Sequence, residues 1–327
     1  MTTAVTGASG HIGGNLIRAL LEQGRTVRAL AREDRQALHG LDVEIIEGDL
    51  FDKESLIKLI NGAETVFHLA GRISIIGSEG GLVEKTNIEG TRNVVESCLQ
   101  CGVKRLVHFS SIHAFSSYPA NQVIDESRGP AVGSKHMPYD RSKAGGQIEV
   151  LEGVKRGLNA VIVNPGAVIG PNDFKVSRMG EVILDIYHRR LPALIDGGYN
   201  WVDVRDVVAG ALAAEKKGRT GECYLLTGHW VHLRDLAALV AKITGGKTPR
   251  LSAPLWLAVF ASYFSLVWAR VRNRAPKFTP AAVKSVQMHR HISHQKATDE
   301  LGYNPRPFEE TIRDTLDWFK KAGMLEW

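Results

Sequence analysis

The chain of 327 residues is 44% hydrophobic and 23% charged, which is ordinary for a globular protein and long enough for a large domain with a smaller companion. Its formal net charge of +6 suits anionic small molecules, but the Lys and Arg residues are scattered and form no basic stripe, which argues against nucleic-acid binding. Three cysteines are too few for a disulfide framework and no signal peptide pattern precedes the first strand, so we expect a cytoplasmic protein.

Apolar strand-like segments alternate with helical segments through the first half of the chain. In chain order, the predicted strands are TAVTG, TVRALA, VEIIEGD, TVFHLAG, RLVHFSS and NAVIVNPG. The predicted helices cover about 13–23, 53–60 and 82–100, and a fourth lies around Tyr139. Strands that are apolar throughout and joined by helices are typical of a parallel sheet covered on both faces. The sequence therefore predicts an α/β fold with a doubly wound parallel sheet, the Rossmann architecture.

The alternation weakens from Pro171 onward, and this change indicates a second, smaller lobe. NWVDVRDVVAGALAAE and GECYLLTG still have the patterns of helix and strand, so we place them against the sheet. The predicted dinucleotide-binding domain therefore comprises 1–170 plus about 201–228. The segments at about 171–200 and 229–327 are predicted to form a substrate-binding lobe over the carboxyl ends of the strands.

A glycine-rich loop, TGASGHIGG, lies between the first predicted strand and the first predicted helix. Its glycines Gly7, Gly10 and Gly13 are spaced three apart. Glycine allows a tight turn and lets backbone N–H groups approach a pyrophosphate, which then faces the N-terminus of the helix. A glycine trio alone is weak evidence, but in this strand–loop–helix context it predicts a dinucleotide site.

The end of the second predicted strand indicates which nicotinamide cofactor binds. Ala31 stands where an NAD-binding chain usually has an acidic residue for the ribose, and Arg32 follows it. A guanidinium suits a 2′-phosphate, because its planar fork matches phosphate oxygens. Arg28 and Arg35 lie nearby in the sequence as further cations. NADP(H) is therefore favoured, and NAD(H) remains the alternative.

The stretch PYDRSKAGG places Tyr139 four residues before Lys143 in a segment with helical character. Residues at i and i+4 share one face of a helix, so the phenol and the ammonium can point into one pocket. This spacing also occurs by chance in chains of similar length, so the surrounding motifs have to decide its meaning.

Several motifs occur in an order that resembles the extended branch of the short-chain dehydrogenase/reductase superfamily. They are TGASGHIG, GDL, FHLAG, NIEGTRN, FSS, the Tyr139–Lys143 pair, NPGAVIGP and WVDVRDVV, and they span most of the chain. The resemblance implies that the catalytic residues are Ser111, Tyr139 and Lys143. It also implies a set of cofactor-binding residues: Thr6, Gly7, Ser9, Gly10, His11, Ile12, Gly13, Arg32, Asp49, Leu50, Leu69, Ala70, Gly71, Asn87, Ser110, Tyr139, Lys143, Pro165, Gly166 and Val168.

These residue types suit hydride transfer between a nicotinamide and a carbonyl or alcohol. Tyr139 would donate the proton that the alkoxide needs, and Lys143 would lower the pKa of the phenol by charge proximity. Ser111 would hydrogen-bond the substrate oxygen and polarise it. Ser110 is the rival for that role if the alignment is shifted by one residue, and His113 is a candidate for lining the substrate site.

Within this branch the chain is most similar to the group around dihydroflavonol reductase and 3β-hydroxysteroid dehydrogenase. Sugar-nucleotide enzymes of the branch usually have an Arg where this chain has Tyr199, and a phenol cannot replace a cation against a diphosphate. We therefore expect an oxidoreductase for a mostly apolar small molecule. A sugar epimerase with tightly held cofactor and a non-catalytic NADP-binding sensor remain alternatives. The resemblance further implies a homodimer through helix 82–100 and the Tyr139 helix.

Two segments in the second half of the chain could have other functions, namely metal binding and membrane contact. His289, His291 and His294 are close in sequence, but no nearby carboxylate completes a ligand set, so we predict no metal site. The segment 251–274 begins with nineteen uncharged residues and then carries three arginines. We expect it to line an apolar substrate cavity, and contact with a membrane surface is the less favoured alternative.

Overall fold

The computed structural model describes residues 1–74, 77–191, 193–248, 252–254, 256–263, 279, 283, 286, 288 and 290–327. The strands, in chain order, are β1 (Thr2–Thr6), β2 (Thr26–Ala31), β3 (Glu44–Glu47), β4 (Thr65–His68), β5 (Arg105–Phe109), β6 (Ala160–Pro165), β7 (Ala167–Ile169), β8 (Leu194–Ile195), β9 (Gly198–Asp203), β10 (Cys223–Leu226), β11 (His229–His232) and β12 (Ser252–Ala253).

The helices connect these strands. In chain order they are α1 (His11–Glu22), α2 (Lys53–Ile60), α3 (Leu82–Glu84), α4 (Gly90–Gln100), α5 (Pro138–Lys155), α6 (Arg178–Tyr187), α7 (Val204–Lys217), α8 (Leu233–Thr244), α9 (Gln295–Leu301) and α10 (Phe308–Lys321). The helix predicted over 82–100 is present, and a π-helical turn at Lys85–Glu89 joins α3 to α4 within it.

The main sheet is parallel, with the strand order β10-β6-β5-β4-β1-β2-β3. Successive residues of β1 point to opposite faces of the sheet. Val5 belongs to a core cluster with α1 and α7, and Ala4 belongs to one with α2, α4 and α5. Helices therefore cover both faces, which explains why the strands are apolar throughout. The prediction of a doubly wound α/β fold is confirmed.

Smaller sheets form beyond β6. β9 pairs with β7 in parallel and with β11 in the antiparallel direction, and β8 pairs with β12. Their cluster of buried residues includes Trp201, Leu236 and Phe319. β10, in contrast, returns to the main sheet beside β6. The division of the chain into a dinucleotide-binding domain and a substrate lobe stays a prediction.

Only part of the segment 251–274 lies within the described residues. Residues 256–263 are helical, and Trp256, Phe260 and Tyr263 share one side at 71%, 59% and 56% exposure. This described part does not have the buried aromatic face expected of a cavity lining. None of the helices formed by the described residues combines the length and apolar character needed to cross a bilayer.

The histidine cluster also lies only partly within the described residues, because His289 is outside them. His291 is exposed, and His294 Nδ1 lies 3.3 Å from Thr227 Oγ1. The described part of the chain contains no group of three potential metal ligands.

Candidate active site

The glycine-rich loop turns tightly between β1 and α1. Gly7 has φ +71°, and a Cβ there would lie 2.5 Å from the backbone nitrogen of Ala70 at the end of β4. A Cβ on Gly13 would overlap the carbonyl oxygen of Gly7. Both positions therefore require glycine, because the loop, the helix and β4 approach one another closely. This is the close backbone packing that a pyrophosphate-binding loop needs.

The N-terminus of α1 has the electrostatic properties of an anion site. No side chain caps it, and its first turn contains no acidic residue. The first N–H groups of a helix lack intrahelical partners and carry a partial positive charge. His11 and Asn15 contact the Pro171 carbonyl, with Nε2 at 3.0 Å and Nδ2 at 3.1 Å, so they hold α1 to the loop that follows β7. Ile12 packs on the adjoining core, and Ser9 is partly exposed.

The side chain of Arg32 is exposed just beyond β2, and within the described residues no group holds it. Arg35 binds Glu47 at 3.0 Å, whereas Arg28 donates to the carbonyls of Lys58 and Asn61 at the end of α2. Arg28 therefore points away from the end of β2, contrary to its inclusion among the nearby cations. Arg32 is the cation best placed for a phosphate there.

Two neighbours of Arg32 affect how well NAD(H), the alternative cofactor, could bind. Asp34 pairs with Lys175 at 2.8 Å, and this hydrogen bond holds the pKa of Asp34 below its usual value. An acid that is already paired is a poor acceptor for ribose hydroxyls. Ala31 is 4% exposed and part of the core, so it offers no polar group.

The turn at Asp49 and Leu50 follows β3. Asp49 Oδ1 accepts hydrogen bonds from the backbone nitrogens of Phe51 at 2.7 Å and Asp52 at 3.2 Å. Asn93 of α4 donates to the Leu50 carbonyl at 2.9 Å. The second Asn of the NIEGTRN motif thus fixes this turn to α4.

A buried hydrogen-bond chain runs from the glycine loop to the π-helical turn. The Thr91 hydroxyl donates its proton to the Asn87 carbonyl at 2.8 Å, so Thr91 Oγ1 accepts from His68 Nε2–H at 3.1 Å. His68 Nδ1 then accepts from the Thr6 hydroxyl at 2.7 Å, and Thr6 Oγ1 accepts from the Ala70 N–H at 3.3 Å. This order requires the neutral Nε2–H tautomer. Burial, with the charge of Lys143 adding to it, lowers the pKa of His68 to about 3.

Asn87 continues this chain to the helix that carries the catalytic candidates. Its side chain accepts from the Arg72 N–H at 2.7 Å and donates to the Arg72 carbonyl at 2.9 Å. Asn87 Nδ2 also donates to Ser142 Oγ at 2.8 Å, and Ser142 donates to the Tyr139 carbonyl at 2.7 Å. The Asn87 side-chain amide therefore holds both helix α5 and the loop that follows β4.

The catalytic candidates meet at the carboxyl end of β5. Ser111 lies near enough to Tyr139 to act against the raised pKa of the phenol, and Lys143 Nζ donates to the Phe109 carbonyl at 3.0 Å. A Cβ on Gly71 would lie 3.6 Å from Lys143 Nζ, so Leu69, Ala70 and Gly71 border the same place.

Burial controls the ionisation of both α5 residues. It raises the pKa of Tyr139 to about 12 and lowers the pKa of Lys143 to about 8. The expected lowering of the Tyr139 pKa by Lys143 does not occur in the chain alone, because desolvation of the phenolate outweighs the nearby charges. The lysine is instead directed to the end of β5.

Ser111 and Ser110 have different surroundings. Ser110 N donates to the Val163 carbonyl, and its buried Oγ has no hydrogen-bond partner within the described part of the chain. Ser111 Oγ accepts from the His113 N–H at 3.3 Å, which leaves its own proton to donate. The geometry therefore favours Ser111 over Ser110 as the group beside Tyr139.

Asp140 was not identified from the sequence, although it lies next to Tyr139. Its Oδ1 is 2.9 Å from His113 Nδ1, and its Oδ2 accepts from the Met137 N–H at 3.3 Å. The His113 ring stands edge-on to the Tyr139 ring, with 5.3 Å between centroids. The available signal was an acid in the first turn of a helix, a common capping position.

The remaining predicted residues lie at the end of β6. Pro165 is its last residue, and a Cβ on Gly166 would lie 2.6 Å from the Asn200 carbonyl oxygen. Val168 pairs with Val202 in the neighbouring sheet. In this strand order the Arg32 and Asp49 positions lie on one side of the β1–β4 boundary and the Tyr139 position on the other. A dinucleotide spans such a boundary.

Comparison with known proteins identifies the family. The model of the NAD dependent epimerase/dehydratase family matches residues 3–226. "Sterol demethylase protein B" of Methylococcus capsulatus is 35% identical, over 99% of this chain and 100% of that protein. "Putative dihydroflavonol 4-reductase" of Synechocystis sp. is 33% identical, over 98% of this chain and 95% of that protein.

A solved structure gives the same result. The crystal structure of gox2253 superposes with a TM-score of 0.84 at 32% identity, covering 100% of this chain and 99% of that one. More distant relatives include 3 beta-hydroxysteroid dehydrogenases. The predicted resemblance is confirmed: the chain belongs to the NAD-dependent epimerase/dehydratase family, and it is an NAD(P)-dependent oxidoreductase of the dihydroflavonol reductase-like kind.

Proposed function

We propose that the chain is an NADP(H)-dependent oxidoreductase that reduces a ketone or aldehyde, or oxidises the alcohol, of a mostly apolar small molecule. The observation that carries this proposal is the convergence at the end of β5 of Ser111, which favours the phenolate of Tyr139, and Lys143, whose Nζ donates to the Phe109 carbonyl. The three side chains supply a proton donor, a second hydrogen-bond donor for the substrate oxygen, and a cation.

The residues that would hold the cofactor fit a dinucleotide. The glycine loop and the uncapped start of α1 suit the pyrophosphate, and Gly71, after β4, borders the place where Lys143 lies. When bound, a nicotinamide supplies or accepts the hydride. In carbonyl reduction Tyr139 gives a proton to the substrate oxygen, and Ser111 donates a hydrogen bond to that oxygen. The Tyr139 phenol is protonated at neutral pH and can donate its proton, although burial raises its pKa to about 12 and makes it a weaker acid.

The preference for NADP(H) rests on Arg32. An exposed guanidinium at the end of β2 suits a 2′-phosphate, and the adjoining Ala31 and Asp34 offer the ribose hydroxyls no free acid.

An apolar substrate is supported by the absence of a cation at position 199. Tyr199 lies in β9, and its ring stands edge-on to Trp201 at 5.4 Å between centroids. The descriptions of the relatives name a sterol demethylase protein and a dihydroflavonol reductase, which agrees with a ring-containing, largely apolar substrate.

The experiment is a screen of ketones, flavonoids and sterols with NADPH. Stoichiometric loss of NADPH absorbance with one of them supports the proposal. Conversion of a sugar nucleotide without net cofactor oxidation would favour the epimerase alternative. Saturable NADPH binding without any turnover would favour the sensor.

The assembly and the location are further proposals. We infer a homodimer through α4 and α5, which Arg92–Glu149 and Arg156–Glu96 ion pairs join within one subunit. Ile148 of α5 is 37% exposed and would contact the partner. Light scattering after gel filtration tests this assembly.

We place the protein in the cytoplasm, with contact to a membrane surface through 251–274 as the alternative, and cell fractionation distinguishes them.

A further inference from the structure

His113 and Asp140 join the serine turn to the tyrosine helix. The imidazole Nδ1 lies 2.9 Å from Asp140 Oδ1, and the backbone N–H of His113 is bound to Ser111 Oγ at 3.3 Å. The edge-on contact with the Tyr139 ring places the same imidazole against the phenol. One residue therefore contacts the serine, the aspartate and the tyrosine.

The Asp140 carboxylate is 4% exposed and directly follows Tyr139 in α5. A negative charge beside a phenol opposes formation of the phenolate, which is the state that Tyr139 must reach when it donates its proton. In the chain alone, burial is the main cause of the raised pKa of Tyr139, and Asp140 adds to it. A compensating cation next to Asp140 would make proton donation easier.

We propose that His113 is a positioning residue for Tyr139: its imidazole holds the Asp140 carboxylate and, when protonated, cancels the negative charge beside the phenol. This inference rests on the proposed role of Tyr139 as proton donor. It makes Tyr139 a better acid when His113 carries a proton, and a weaker one when it does not.

Other ionisable groups surround the pair. His136 lies within the electrostatic field of Asp140, but burial lowers its pKa and its Nε2 is directed to Ser116 Oγ at 3.4 Å. The charge of Arg178 of α6 acts to lower the pKa of Tyr139, and Lys143 is bound to the Phe109 carbonyl. Of these cationic groups, His113 is the one at hydrogen-bond distance from Asp140 in the described contacts.

The test compares three variants with the wild type. His113→Asn keeps an N–H donor near the Nδ1 position but cannot be protonated. His113→Phe keeps the ring and loses the donor, and Asp140→Asn removes the charge. Circular dichroism establishes that each variant is folded before kinetics are measured.

We expect the wild-type pH profile of carbonyl reduction to contain a step that is absent in His113→Asn and Asp140→Asn. On the acidic side of that step, His113→Phe should be slower by about tenfold, the equivalent of one pKa unit on Tyr139. At the same pH Asp140→Asn should be close to the wild type, because no charge remains to be compensated. Profiles that keep the step in both variants would overturn the proposal.

A measurement without cofactor or substrate separates this proposal from the proposed function. With labelled histidine, the imidazole resonances of His113 should change position in Asp140→Asn, because the carboxylate oxygen 2.9 Å from Nδ1 is replaced by a neutral amide group. Resonances at the wild-type positions would refute the His113–Asp140 contact alone. If Tyr139→Phe kept full turnover, the proposed proton donor itself would be wrong.

Discussion

The amino group of Lys143 lies 3.0 Å from the carbonyl oxygen of Phe109, the last residue of β5. Ser111 follows Phe109 by two residues, so the lysine and the serine are fixed to the same strand end. Burial lowers the pKa of Lys143 to about 8, which makes its charge sensitive to mildly alkaline pH.

The first prediction concerns the ionisation of Lys143. Its pKa is lower in the folded chain than the ordinary 10.5, so the unfolded chain binds more protons between about pH 8 and 10. The contribution of this residue to the free energy of unfolding therefore rises with pH across that window, and Lys143→Met should lose the rise. Urea unfolding at several pH values measures it. Lys58→Met, which removes an exposed lysine of α2, serves as the control and should keep the rise.

The second prediction concerns Tyr139. Tyr139→Phe removes a proton donor and little volume, so turnover should fall by about 10²–10⁴-fold while the Kd for NADPH stays near the wild-type value. Steady-state rates and fluorescence titration give the two quantities. Tyr263→Phe alters a tyrosine that is 56% exposed and should leave both unchanged. Wild-type turnover in Tyr139→Phe would contradict the assignment.

The third prediction concerns the glycine loop. Gly13→Ala forces a methyl group against the Gly7 carbonyl, so the loop must shift. We expect the free energy of unfolding to fall by about 1–3 kcal/mol. The affinity for NADPH should fall as well. Gly129→Ala is the matched control, because a Cβ there meets no atom within 4 Å. Thermal unfolding and cofactor titration should separate the two variants. Equal behaviour would mean that the loop tolerates the methyl group.

The fourth prediction concerns Arg32. A charge-assisted hydrogen bond is worth about 1.5–3 kcal/mol, so Arg32→Ala should weaken NADPH binding roughly tenfold to a hundredfold and leave NADH binding nearly unchanged. Arg35→Ala, which removes the partner of Glu47, should affect the two cofactors equally and less. Parallel titrations with both cofactors measure these effects. If Arg32→Ala weakened both cofactors by the same factor, the preference for NADP(H) would have another origin.

The fifth prediction concerns His68. His68→Leu removes the acceptor of the Thr6 hydroxyl proton, and a buried unsatisfied group costs about 1–3 kcal/mol, whereas Thr91 keeps its hydrogen bond to the Asn87 carbonyl. Because the pKa of His68 falls from 6.5 to about 3 on folding, wild-type stability decreases as pH falls through that window. In His68→Leu, the free energy of unfolding should decrease less steeply as the pH falls. His39→Leu, at an exposed position, should retain the wild-type slope.

Much of the main sheet could be predicted from the sequence because its signals are local. The helix predicted at 53–60 coincides with α2, and apolar runs bounded by turn residues located β1 to β6. The small sheets were harder, since β7 and β8 have only three and two residues and depend on their pairing partners.

The site was predictable where it follows a motif and not where it depends on tertiary contacts. Tyr139, Lys143 and Ser111 were proposed from the ordered motifs and the resemblance that they carry. The bond between Thr6 and His68 joins residues 62 positions apart and depends on the register of β1 and β4. The pKa of Tyr139 follows from burial, which residue spacing does not reveal. The role of Asp140 could not be recognised without the position of the His113 ring, which only the folded structure gives.

The chain cannot be divided at the point where its N-terminal motifs end. β10 pairs with β6 through Cys223–Ile162 and Leu226–Pro165, so the last strand of the sheet is encoded far from the other six. A fragment ending near 170 would leave β6 as an open edge, although all six of its residues are buried in the whole protein. Such edges recruit other chains. We therefore expect that fragment to aggregate, and the ribosome must release residues through Leu226 before the sheet can close.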